Sequence, residues 1–162
     1  MSHRPPLDFE DASKRYIFPV KQEKMMKLIS SQINWIMLVS GVITCTLFYA
    51  AIAPQAALSS LFGDSLEGQL SEIIVRNWGA LITLVGAIQI YGAFNSSSRS
   101  LIVVISIISK LTFVSLVLVY GRQYLGQAGI AVAIDLVIVG LFIVYLIGDR
   151  SKLTNKNQNS KS

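Results

Sequence analysis

The sequence predicts an all-α, polytopic membrane protein: an up-down bundle of four transmembrane helices, with a short amphipathic segment between the first two. Three observations predict it. Hydrophobic residues make up 52% of the chain and charged residues only 14%, against about 25% charged in a soluble domain. Four apolar runs each reach the ~20 residues that cross a hydrocarbon core as a helix. Their many β-branched residues would favour strands in water, but an isolated strand in lipid leaves its backbone groups unpaired, so the runs are helices.

Residues 1–32 read as an N-terminal arm with an amphipathic lead-in helix over 21–32, KQEKMMKLISSQ. So many polar residues before the first apolar run argue against a cleavable signal. The first span is 33–53, INWIMLVSGVITCTLFYAAIA. The link 54–73 carries Leu58, Phe62, Leu66, Leu70 and Ile73 at helical spacing, interrupted by Gly63 and Gly68. That pattern fits a surface-lying amphipathic segment or a partly helical loop packed on the bundle end. The second span is 74–94, the third 101–121 and the fourth 128–148. Short polar links, NSSSRS at 95–100 and RQYLGQ at 122–127, make the last three spans successive antiparallel hairpins. Residues 149–162, ending TNKNQNSKS, cannot build a core and are expected to be disordered.

Charge sets the expected orientation. The N-terminal arm holds six basic residues (Arg4, Lys14, Arg15, Lys21, Lys24, Lys27) and the C-terminal tail four (Arg150, Lys152, Lys156, Lys161). The two links on the opposite side hold only Arg76 and Arg122. An excess of Lys and Arg marks the cytoplasmic face, so both termini are expected there. The net charge of +5 is thereby a matter of topology and anionic lipid, with no nucleic-acid partner implied.

Several chemistries are excluded. The single cysteine, Cys45, allows no intramolecular disulfide, and the single histidine, His3, lies in the arm, so no histidine metal site or bis-histidine heme fits in the spans. No phosphate-binding, dinucleotide, zinc-protease or paired-cysteine motif is present. No catalytic residue, cofactor or metal is assigned.

What remains is polar matter in the spans. Lys110 lies nine residues into the third span, and Asp135 lies in the fourth. A charge at the bilayer centre costs ~2.5–3.5 kcal/mol on insertion scales. With the hairpin turning near residue 125, the two differ in depth by five positions, or ~7–8 Å, which a lysine stem can largely span. The pair is therefore either a structural ion pair or the centre of an intramembrane polar site, with Gln89 and Ser106 at similar depth. Gly79, Thr83, Gly86 and Ala93 share one face of the second span and suit close helix packing.

The stretch RNWGALITLVGAIQIYGAF (76–94), the polar turn after it and SRSLIVVISIISKLTF (98–113) resemble the DoxX-like group of small four-helix bacterial membrane proteins, over about residues 35–148. The resemblance implies a bacterial inner-membrane bundle. Some members of that group are accessory subunits of redox enzymes, and distant four-helix relatives include chaperones and sterol-type isomerases. No functional residue is carried over, and an isomerase pocket with two buried acids would find only Asp135 here. The first functional reading is a non-enzymatic bundle that binds another membrane protein, a second copy of itself or a lipid-like molecule. The alternative is an enzyme or transporter for a hydrophobic substrate, built around Lys110 and Asp135.

Overall fold

The computed structural model describes Leu28 and residues 31–159, with side chains through Asp149. The arm over 1–27 and most of the lead-in helix lie outside the described residues. Five helices follow in order: α1, Ser31–Ile52; α2, Pro54–Phe62; α3, Gln69–Phe94; α4, Arg99–Tyr120; and, after a 3-10 turn at Arg122–Tyr124, α5, Leu125–Asn159. No strand occurs among the described residues. Four helices are long and apolar enough to cross a membrane, with the fourth span covering Arg122–Asp149. The protein is a small multi-pass membrane protein, and both ends of the described chain lie on one side, called here the tail side.

The helices outrun the apolar segments that mark them. α3 begins at Gln69, five residues ahead of the predicted span, and α5 continues to Asn159 through the segment expected to be disordered. Hydropathy marks where hydrocarbon begins, whereas a helix needs only its own backbone hydrogen bonds and no breaker. Neither 69–73 nor 150–159 holds a proline or glycine.

The link between the first two spans resolves into α2 and an irregular loop. Pro54 opens α2 at a position where its missing N–H costs nothing. Gly63 closes it at φ 72°, the left-handed conformation that a glycine cap adopts without steric penalty. Ala57 and Leu58 are buried, so α2 packs on the bundle end and covers it. Its tip is tied to the 3-10 turn before α5: the Phe62 and Tyr124 rings meet edge-to-face with centroids 5.8 Å apart, and the Tyr124 hydroxyl donates to Asp64 Oδ2 at 3.2 Å.

Arginines cap three helix C-termini, where carbonyls lack partners. Arg76 donates to Ala51 O and Ile52 O at 2.8 and 2.9 Å, closing α1. Arg99 does the same for α3 through Gly92 O and Ala93 O, and Arg122 for α4 through Leu118 O. Glu72 pairs with Arg76 at 3.7 Å.

Packing differs between the two ends of the bundle. On the tail side there is one core, in which Ile33 and Met37 of α1 join Ala93, Val103, Phe142 and Tyr145 from the other three spans. On the far side the core splits. One cluster unites α1, α2 and α3 through Ala50, Ala57, Leu58 and Val75. Another unites α4 and α5 through Val114, Val117, Ala128 and Val132. Phe62 packs against both. Long apolar side chains such as Trp35, Leu101 and Val119 are exposed around the outside, as a lipid-facing surface requires.

Candidate functional site

Where the far-side core divides, a cavity of about 310 Å³ opens in the bundle. It runs from Trp78 and Gln127 near the far side down to Gln89, Lys110 and Asp135 at mid-depth. On α3 alone, Trp78 to Gln89 spans eleven residues, or ~16 Å of helix. The walls are mostly apolar, with Leu61 of α2 as part of the roof. On one side they are Ile43 and Leu47 of α1, on the other Ile130 and Ile134 of α5. Ile43, Ile130 and Ile134 are themselves 46%, 75% and 41% exposed. The cavity therefore opens sideways, between α1 and α5, toward the lipid-facing surface.

The local chain explains the gap. α1 is irregular at Thr46–Leu47, where Leu47 N–H bonds Thr44 O and Ala50 N–H bonds Leu47 O, three residues back rather than four. Thr44 and Thr46 also turn their hydroxyls onto Ser40 O and Ile43 O, at 2.8 and 2.6 Å. Such back-bonding, with a tightened turn, bends a helix. The other face of α1 packs closely on α3. A Cβ on Gly86 would fall 2.8 Å from Cys45 Sγ and from Gly41 O, and one on Gly79 would fall 2.7 Å from Ala51 N. Contact at glycine distance holds α1 to α3, leaving its approach to α5 incomplete on the far side.

The polar floor has two parts. Lys110 Nζ bonds Asp135 Oδ1 across the α4–α5 seam, with the two side chains 8% and 18% exposed. Beside them, Ser40 Oγ donates to Gln89 Oε1 at 3.0 Å in a fully buried contact between α1 and α3. The Gln89 amide nitrogen has no hydrogen-bond partner among the described residues. A buried, unmatched donor costs ~1–3 kcal/mol.

Of the four polar candidates, the structure brings Lys110, Asp135 and Gln89 to one cavity and leaves Ser106 out. Ser106 lies one helical turn toward the tail side of Lys110, and its hydroxyl donates to Ile102 O at 2.8 Å. Its place on the wall is taken by Ser109. Of the four packing candidates, Gly79 and Gly86 meet α1, and the Thr83 hydroxyl donates to Gly79 O at 2.6 Å. Ala93 belongs to the tail-side core. Sequence reasoning missed Ser40 and Gly41; a serine and a glycine in an apolar run carry no signal until the facing helix is known. Among the described residues no group of three or more His, Cys, Asp or Glu side chains could hold a metal ion.

A second apolar cavity of about 450 Å³ lies above the first on the far side, between α2, the 64–66 loop and the ends of α3 and α4. Trp78 and Phe113 line both and stand between them. No protein-family model, curated protein or solved structure matches the chain.

Proposed function

We propose that this protein is a non-enzymatic membrane protein of a bacterial inner membrane, with both termini cytoplasmic, that takes a lipid-soluble molecule into the cavity between α1 and α5. The observation that carries the reading is the setting of the mid-membrane charges: Lys110 and Asp135 line a cavity together with Gln89, rather than a dry helix seam. A purely structural ion pair has no need of an adjoining void, since voids forfeit packing contacts. About 310 Å³ falls within the ~300–1,000 Å³ of small-molecule sites, which are mostly apolar with a few polar groups. The lateral opening admits a molecule already dissolved in the bilayer. The DoxX-like affiliation belongs to the same proposal and is supported by the four-helix layout and by residues 76–113.

Native mass spectrometry of protein released from nanodiscs tests this. Wild type should retain one small apolar molecule after bulk lipids are stripped. Ile134→Trp, which fills the cavity from its exposed edge, should lose it while remaining folded, with an unchanged helical circular-dichroism spectrum. A wild-type protein that emerges without a bound molecule, from nanodiscs made of its native membrane, would overturn the reading.

A further inference from the structure

The unmatched amide of Gln89 identifies the polar end of the occupant. Gln89 is 1% exposed and lines the cavity, and its Oε1 is engaged by Ser40. That leaves Nε2, with its two N–H donors, without an acceptor among the described residues. Lys110 lines the same cavity, with one of its three N–H donors given to Asp135 Oδ1. The floor thus presents donors in excess. The geometry points to an occupant that carries a neutral carbonyl on an apolar chain, its oxygen accepting from Gln89 Nε2 once that buried amide turns toward the cavity, beside Lys110.

Charge decides between a neutral and an ionised acceptor. The Lys110 ammonium is already balanced by Asp135, so a carboxylate on the ligand would bring a second negative charge against the Asp135 carboxylate in a low-dielectric site. A neutral carbonyl satisfies the donor and adds no charge. Depth decides between a bilayer lipid and a dissolved molecule. The ester carbonyls of a phospholipid sit at the interface, whereas Gln89 and Lys110 lie near mid-depth. A single-chain ester or ketone can carry its carbonyl that far, because it leaves no charged headgroup behind.

This inference rests on the proposed function, and the test separates the two. Protein is placed in nanodiscs of diether phosphatidylcholine, so that the bilayer itself contributes no ester. The probe is a fatty acid methyl ester with a diazirine on its chain. Cross-linked peptides are mapped by mass spectrometry, with methyl palmitate and an alkane of equal length as competitors. Cross-links should fall on residues 43–47 and 130–134. Methyl palmitate should displace the probe at about one tenth of the alkane concentration, the effect of one hydrogen bond to an otherwise unmatched donor. Gln89→Leu should abolish that preference while leaving the cross-link sites unchanged. Equal competition by ester and alkane, with cross-links in the cavity, overturns the carbonyl assignment and leaves the binding reading intact. Cross-links scattered over all lipid-facing surfaces overturn both.

Should Gln89→Leu fail to fold, wild type decides alone. The carbonyl stretch of 13C-labelled methyl palmitate bound to the protein should lie below that of the same ester in hexadecane. A bound ester with an unshifted stretch overturns the assignment.

Discussion

Removing Lys110 alone leaves the Asp135 carboxylate among apolar neighbours with nothing to balance it, and removing Asp135 does the reverse. An uncompensated charge in a buried pair costs ~3–5 kcal/mol. Lys110→Met and Asp135→Leu should therefore each lower the melting temperature of the detergent-solubilised protein. The double variant, which takes both charges out of the seam, should recover most of the loss. The readout is a thermal-denaturation cycle over the four proteins. Single losses that simply add in the double variant would show that the residues are not coupled. The cycle addresses stability only. A loss of bound ligand in a well-folded double variant would show that the same pair also serves the cavity.

Among the helices, the α1–α3 contact and the outer face of α5 make opposite demands on glycine. A Cβ at Gly86 would meet Gly41 O, a backbone atom that cannot swing aside, whereas a Cβ at Gly140 meets nothing within 4 Å. Gly86→Ala should destabilise by ~1–3 kcal/mol, as overpacking does. Gly140→Ala should leave stability unchanged or raise it by ~0.5–1 kcal/mol, through the lower backbone entropy of alanine. Chemical denaturation of both variants in mild detergent checks the pair, and equal effects would contradict the close approach at Gly86. This contact was half visible in the sequence. Gly79 and Gly86 stand seven residues apart on one face of α3, a spacing that announces a packing stripe. Their partner Gly41 was invisible, because the rotation of α1 about its axis is set by the facing helix. The Lys110–Asp135 pair was legible because a short hairpin fixes relative depth by counting. The cavity beside it was not. It arises from a tightened turn at Thr46–Leu47 and from the division of one core into two, and no spacing rule reports either. The irregular end of α2 was foreshadowed by Gly63 and Gly68, while its burial against the bundle depended on Ala57 and Leu58 meeting Ala50 and Val75.

For the molecule as a whole, the charge distribution makes a prediction that does not depend on the site. A reporter active only in the cytoplasm, fused after Ser162, should be active. One inserted in the 63–68 loop should work only if its activity requires the opposite side. Paired reporter assays read this out, and the reverse pattern would overturn the orientation. The three arginines of the links bear on it too. Arg76, Arg99 and Arg122 donate to helix carbonyls and keep their charge, while the larger share of Lys and Arg lies in the two tails and orients the protein. The sideways mouth between α1 and α5 has a thermodynamic corollary for whatever enters. A molecule arriving from the bilayer has already left water, so moving its chain from lipid to an apolar wall gains almost nothing from dehydration. The usual proportionality between buried apolar area and affinity therefore lapses. Selectivity must be concentrated at the polar floor, and occupancy follows the mole fraction of the molecule in the membrane rather than its concentration in the surrounding solution. Two compounds of equal intrinsic affinity would then differ in apparent potency by the ratio of their partition coefficients.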